Sequence, residues 1–545
     1  MASRLQFGYL GGVCGLCGLF ATTVWASTPP DPSDAVDVWL QVRATIDGAA
    51  MESLDAAPPA GVQLILRHQG RPLASTWAAR VAGHANPLEH ATTALLDEAR
   101  SDELLARMPP HLINEGLRST TLEADTAGPF EPMTATSLDA VADDLNPATD
   151  GVALRVGMHW HMRFPSALRM TGSAATLSTL HELAAVAGLK PETLREARRN
   201  GHAALYRFQT VDLVQQAGEH MPRVFSRGMK DLTWTCDRAD LVTLQEQIVT
   251  HLGTHLTMPT TLDDDAATVL GSTYVPHLDR WKPLSASPRD RALARLAFLA
   301  AAATPGVDPT IAEQSRRWAT DCSTQAAVTD DVVAALHMDS IAHPSEEQLA
   351  RVTNLLDDDT IHTSDRAIAA WALAGYQPEH PRVRAFLDSA TLLPPTQLLE
   401  MLPWLGWADI RMAAVEDATP RLASFWNTLG TRTAANLSDS TTPAANMLPI
   451  AAFLASAAGD PDIWSPPERP AAFHAMCRSI RVLAHLVVGP DEARFFPAPD
   501  KMLGGVRLSP WDERMPIWAQ SMAIMMIRSA LQVFPDTVRD EERTP

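Results

Sequence analysis

Tyrosine is almost missing from this chain, with 4 residues in 545 beside 14 Phe and 14 Trp. Basic residues are also short: 44 Lys and Arg face 64 Asp and Glu, for a net charge of −20. A chain so acidic, with no basic stripe, cannot neutralise a run of phosphates, so no nucleic-acid partner is expected. Cysteine is sparse. Beyond residue 26 only Cys236, Cys322 and Cys477 remain, far apart in the chain, which excludes a zinc ribbon or a redox CxxC motif there. One disulfide with a spare thiol, or three buried thiols, both stay open. The chain also lacks a Walker loop, a GxGxxG after a strand, a GxSxG elbow and an SxxK pair, so most motif-bearing enzyme classes are disfavoured.

Proline, by contrast, is plentiful at 41, and ten of the tryptophans lie beyond residue 230. At 545 residues the chain is too long for one ordinary core, and two or three domains are expected. Residues 1–26 read as a signal peptide. Arg4 is followed by an uncharged apolar stretch from Phe7 to Trp25, then by a small-x-small site at Val24-Trp25-Ala26 and the Pro/Asp-rich STPPDPSD. The run of roughly 19 residues would also just span a bilayer as an uncleaved anchor. Cys14 and Cys17 lack the lead-in of a lipoprotein site. The expected location is therefore exported: periplasm or cell envelope, with membrane association only if the leader stays attached.

From Val36 to Val211 the pattern is mixed. VQLILRHQG alternates and turns at Gly70, as a strand does. NPLEHATTALLDEARSDELLARM carries apolar residues at helical spacing, with Asn86 as N-cap and Pro87 at the first helical position. GVALRVGMHWHMRFP predicts a hairpin around Gly157. A helix ending near Gly188, a second starting at Pro191 and the strand ALYRFQTVDLV follow. This is an α+β region. In order and spacing, GVALRVGMHWHMRFPSALRM, LHELAAVAGLKPETL and ALYRFQTVDL resemble the second half of the AMME-region (AMMECR) protein domain. LILRHQGRPLASTWAARVAGHANPLEHATTALLDEARSDE resembles its first half. The resemblance spans residues 36–220 and implies a fold rather than an activity. The family's Gly-Cys-Ile-Gly loop is replaced here by Ala74-Ser75-Thr76-Trp77, so no thiol role carries over.

Residues 221–287 are expected to be an ordered linker with a helix from Asp237 to Leu252. From Pro288 to Phe534 the rhythm is helical almost throughout, in segments opened by Ser, Thr, Asp or Pro and broken by Gly or Pro. Helix pairs return about every 35–45 residues, the size of an αα-hairpin repeat, without a strict consensus. The end, CRSIRVLAHLVVGPDEARFFPAPDKMLGGVRLSPWDERMPIWAQSMAIMMI, looks like the last turn of the α/α toroid of terpene cyclases and protein prenyltransferases. Their catalytic motifs are absent: Asp263-Asp264-Asp265 and Asp357-Asp358-Asp359 give neither DxDD nor DDxxD. The expected architecture is an α+β N-terminal domain followed by an all-α helical-hairpin domain over 288–534, α/α toroid-like, mainly α overall.

Four groups carry candidate chemistry. In SPWDERMPIW, Asp512 and Glu513 open the last helix where a toroid's cavity would have its mouth. They could act as acid and base, with Trp511, Arg514, Gly504 and Gly505 around a ligand. A capping Asp512 salt-bridged to Arg514 is the simpler reading. His159 and His161 share one side of a strand, half of a metal site at best, since a third ligand is not in view. THLGTHL sets His251 and His255 at helical zinc spacing but without the glutamate that pattern needs. The two Asp runs read better as helix caps than as cation sites. No cofactor is expected. The sequence therefore points to an exported protein with a binding or scaffolding role on the concave face of a helical toroid. Its partner would be a small molecule, glycan or protein. The alternative is a toroid-type enzyme acting on a polysaccharide or isoprenoid.

Overall fold

The computed structural model describes residues 29–534, apart from 52–58, 136, 146–148, 168–175, 216–219, 225–236, 255–269, 283–284, 325–329, 339–343, 431–444, 461, 467, 495 and 510–511. The leader, Cys236, His255, Asp263–Asp265 and Trp511 therefore lie outside the described residues.

The N-terminal half is a curled antiparallel sheet with helices on one face. Its strands are β1 (Gly61–His68), β2 (Arg71–Ala79), β3 (Thr121–Ala127), β4 (Glu131–Pro132), β5 (Asp150–Val156), β6 (His159–Arg163), β7 (Ala203–Gln215) and β8 (Pro222–Val224). The order is β2-β1-β3-β7-β5-β6, with β4 and β8 also on β7. The long strand β7 joins the two halves of the sheet, pairing Ala203–Gln209 with β5 and Thr210–Val214 with β3. Its odd positions Ala203, Leu205, Val211 and Leu213 face the helices, while Phe208 and Val214 point to the other side.

Two helices with the same stripe cover the first half. In α1 (Pro32–Ile46) the buried apolar residues are Ala35, Val38, Trp39, Val42 and Ile46; in α2 (Pro87–Ser101) they include Leu88, Ala91, Leu95 and Ala99. Both stripes repeat at three and four residues; α2 lies over β1 and β2, and α1 over β3 and β7, where Trp39 Nε1 donates to the Leu122 carbonyl at 3.1 Å. Asn86 caps α2 and Pro87 opens it, as expected. Short helices α3 (Glu103–Ala106), α4 (Pro110–Arg118) and α5 (Leu138–Asp143) follow, then α6 (Thr176–Val186) and α7 (Pro191–Arg199). Leu180, Leu183, Ala184 and Leu194 of the last two cover Val152 and Leu154 of β5.

The second half is a ring of helices. They are α8 (Arg238–Thr254), α9 (Pro288–Ala302), α10 (Pro309–Thr324), α11 (Asp331–Met338), α12 (Glu346–Asp357), α13 (Thr363–Tyr376), α14 (Pro381–Ala390), α15 (Pro395–Glu400), α16 (Trp404–Glu416), α17 (423–430), α18 (Leu448–Ala457), α19 (Arg469–Leu486), α20 (Pro490–Ala493) and α21 (Ile517–Val533). Contacts run from α9 to α11, α13, α16, α18 and α21, and α21 returns to α9, so the ring closes. Helices α10, α12, α14 and α19 pack outside these six.

Composition explains which helices go where. The inner α13 buries Ala367 through Ala374 without a break, and α21 buries Ala519 through Ile527. A helix apolar all round belongs inside. The outer α14 buries only Val383, Phe386, Leu387 and Ala390, a single stripe. Small residues let inner helices approach closely: a Cβ on Gly406 of α16 would lie 2.2 Å from the Phe453 ring on α18.

The segment read as a linker is built into both halves. β8 extends the sheet, and α8 packs on α9, α10 and α21. Strand β9 (Thr273–Val275) lies between β10 (Arg280–Trp281) and β11 (Met515–Pro516). Val214 joins Tyr274, Trp281, Val488, Phe496 and Met515 in a small core between sheet and ring. The β1–β2 turn abuts the same region. Gly70 adopts φ +79°, and a Cβ there would lie 2.0 Å from the carbonyl oxygen of Phe496.

Candidate functional site

The loop after α19 carries most of the expected site residues, and it is an ionic knot. Arg507 donates to the carbonyls of His485 (2.8 Å) and Leu486 (3.4 Å) and to Glu492 Oε1 (2.8 Å). Glu513 stands 3.6 Å from its other Nη. Asp512 accepts a two-pronged bond from Arg514, at 2.8 and 2.6 Å, which raises the pKa of that guanidinium. The last helix starts at Ile517 with no side-chain cap, so Asp512 does not cap it and Glu513 does not open it. Of the simpler reading, a capping Asp512 salt-bridged to Arg514, the pairing is present and the cap is not.

Gly504 and Gly505 are there for contact between chain segments. Gly504 has φ +78°, and a Cβ on it would sit 2.2 Å from the carbonyl oxygen of Gln247 in α8; one on Gly505 would meet Met515 Sδ at 2.3 Å and His251 Cε1 at 2.7 Å. The Gln520 side chain then clamps Val506, accepting from its N–H and donating to its C=O at 2.9 Å each. His251 is buried against this loop.

None of these residues lines a cavity that opens inside the ring. That cavity holds about 460 Å³ and draws on five inner helices: Leu296, Leu299 and Ala300 of α9, Trp371 of α13, Trp407, Ile410 and Arg411 of α16, Ser456 of α18, and Met525, Arg528, Ser529, Gln532 and Val533 of α21. Its walls are held by specific bonds. Trp407 Nε1 donates to Ser456 Oγ at 2.7 Å. Arg411 donates to the Trp371 carbonyl at 3.2 Å, and its guanidinium lies 4.9 Å from the centre of the Trp371 ring. Trp371, Trp404 and Trp407 contact one another with centroids 4.8 to 6.3 Å apart. Trp371 and Met525 are buried at the floor while Gln532 is exposed at the rim. Among the described lining residues there are two arginines and no carboxylate.

Other ionisable groups of the ring serve the scaffold. Asp409 of α16 is fully buried and accepts from Arg421 N (2.9 Å), Leu422 N (3.0 Å) and Trp426 Nε1 (3.0 Å). Burial nevertheless raises its pKa. Asp357 pairs with Arg382, Asp359 with Arg366 at 2.8 Å, and Asp358 accepts from Thr360. The expected helix-capping role is not what this run does: Asp357 and Asp358 close α12, and the side-chain cap of α13 is His362.

His159 and His161 lie on the edge strand β6, beyond the Gly157 turn, on one face with Arg163. Burial, then His159 and Arg163, lowers the pKa of His161. Trp160 points to the opposite face and packs on Tyr206 at 4.9 Å. Among the described residues no three His, Cys, Asp or Glu side chains gather where they could hold a metal ion.

No protein-family model matches the chain. The curated proteins contain no match either. Among solved structures, an uncharacterized protein from Pyrococcus horikoshii aligns at 16% identity over 35% of this chain and 96% of its own, with a TM-score of 0.27.

Proposed function

We propose that this is an exported, non-catalytic binding protein that holds a small organic molecule in the cavity of its helical ring. The observation that carries the reading is the cavity itself. It is of ligand size, floored by Trp371 and Met525, and rimmed by a few polar groups. The residues expected to supply acid and base, Asp512 and Glu513, are engaged with Arg514 and Arg507 and are not among the lining residues. Export rests on the apolar leader that ends at Ala26. The α+β half is proposed to be an AMME-region-like module, on strand and helix order alone. The ring is proposed to be a relative of the terpene-cyclase toroid that lacks its acid motif.

The test is native mass spectrometry of the full chain purified from its own host. The reading expects cleavage after Ala26 and a small-molecule adduct. It also expects the adduct to be lost in Ala300→Trp, which fills the cavity, while the circular dichroism spectrum is unchanged. An adduct that survives in folded Ala300→Trp, or a bare wild-type chain, overturns the binding reading. An uncleaved mass overturns processing at that site.

A further inference from the structure

We propose that the end of the α+β half around the β5–β6 turn docks on an anionic phospholipid surface, with Met158 entering the lipid interface and nearby arginines meeting the headgroups. This goes beyond the cavity reading, and it gives the protein a membrane contact that needs no uncleaved leader.

The turn stands at the end of the sheet away from the ring. Gly157, at φ +61°, and Met158 are its two central residues, closed by the Val156–His159 pair. β7 starts beside them: Ala203 pairs with Val156, and the Gly157 N–H donates to the His202 carbonyl at 3.0 Å. The last turn of α7, which holds Arg199, leads into the same loop. From there β7 runs on to Val214, which belongs to the core between sheet and ring. At about 3.3 Å per residue, the two places are roughly 35 Å apart along the strand.

Met158 is 90% exposed, more than any other large apolar side chain among the described residues. Gly157, His159, Asn200, Gly201 and His202 around it are exposed as well. An apolar side chain standing out from a convex turn offers a protein partner little surface to bury, whereas a lipid interface takes it in.

Charge points the same way. Residues 150–209 hold eight Lys and Arg against four Asp and Glu, in a chain whose net charge is −20. Carboxylates are in surplus, yet Arg155, Arg195 and Arg199 form no ion pair with any described residue. On α7 three arginines outnumber Glu192 and Glu196, and Arg155 adds to them from β5. The end is therefore net positive, and basic residues at an anionic leaflet strengthen binding severalfold each.

The experiment is flotation of the full chain, purified from its own host, with two kinds of vesicle at pH 7 in low salt. One is phosphatidylcholine alone, and the other is an equal mixture of phosphatidylcholine and phosphatidylglycerol. Binding to the anionic vesicles is expected to be at least about tenfold tighter than to the neutral ones, and to weaken in high salt. Met158→Ser and the pair Arg155→Gln with Arg199→Gln are each expected to lose at least about fivefold of that binding. Leu392→Ser, at a leucine 86% exposed on the ring, is expected to bind as wild type does. Melting curves establish that each variant is folded, and Arg195→Gln replaces Arg155→Gln if the first pair is not.

Equal binding to both vesicles is the mark of an inserted leader and overturns the proposal, as does binding to neither. A preference for anionic vesicles that survives in the folded variants overturns the placement at this turn. Polyglutamate bound as tightly as the anionic vesicles, with no loss in Met158→Ser, would make this end a site for acidic protein and overturn the membrane contact.

Discussion

Arg507 and Glu513 face each other at 3.6 Å with side chains exposed by only 1% and 2%. With Glu492 on the other prong of the same guanidinium, one cation answers two buried carboxylates. That relationship accounts for a carboxylate as deep in the protein as Glu513. It also yields a prediction. Arg507→Ala leaves Glu492 and Glu513 buried without their cation, and removing one partner of such a cluster costs about 3–5 kcal/mol. Urea melts should show that loss, whereas Glu513→Gln should cost less than half as much and leave any ligand adduct intact. A mild Arg507→Ala would mean that the loop relaxes to admit water.

The Gly504 turn offers a cleaner comparison. Alanine at Gly504 would combine a left-handed backbone with a clash on the Gln247 carbonyl oxygen, whereas Gly83, at φ +94°, has nothing within 4 Å of a Cβ. Gly83→Ala should therefore cost about 1 kcal/mol, the conformational term alone. Gly504→Ala should cost about 2–4 kcal/mol, because helix and loop must also separate. Thermal melts of the two variants measure the difference directly. Equal costs would remove close packing as the reason for the glycine pair.

These cases show what was legible in one dimension. The Gly157 hairpin, the Asn86-Pro87 start and the Pro191 start announce themselves through neighbouring residues, and the structure has all three. The ring cavity did not announce itself. Within PTQLLEMLPWLGW, Pro403 separates α15 from α16, and α16 runs on to Glu416. Taking Pro403 as a break would have brought Arg411 into view. Arg528 lies well inside the last helix, but nothing local reports which neighbours a helical residue faces. The pairing of β9 with β11 escaped for the same reason: its partners are distant in sequence. At Asp512 the pairing with Arg514 was legible from their spacing, but the cap was not there to find, because the helix starts only at Ile517.

Cysteine chemistry gives a third prediction. Cys322 is buried and reduced, and burial first, then Asp321, pushes its thiol pKa up to about 12. Alkylation requires the thiolate, so Cys322 should resist iodoacetamide at pH 8 in the folded protein and react fully in urea. The half-buried Cys477 serves as an internal reference expected to react earlier. Peptide mass mapping after timed labelling reads both. Native labelling of Cys322 at the rate of Cys477 would show that α10 opens readily.

The inner helix α11 supplies a pH-dependent term. Burial, and then the charge of Arg295, depress the pKa of His337 from 6.5 to about 4. A folded-state value below the unfolded one means that the unfolded chain takes up the proton first as pH falls. The stability tied to the neutral ring is therefore complete above pH 6.5 and is lost as pH drops towards 4. His337→Gln keeps a polar group of similar size and removes the titration. Urea melts from pH 7 to 4.5 should show wild type losing about 1–2 kcal/mol more than His337→Gln, a figure reduced for the ring's partial exposure. Carboxylates elsewhere titrate in both proteins and cancel in the comparison. Parallel pH profiles would place the His337 proton equilibrium outside the folding transition, and would mean that α11 admits water beside Arg295.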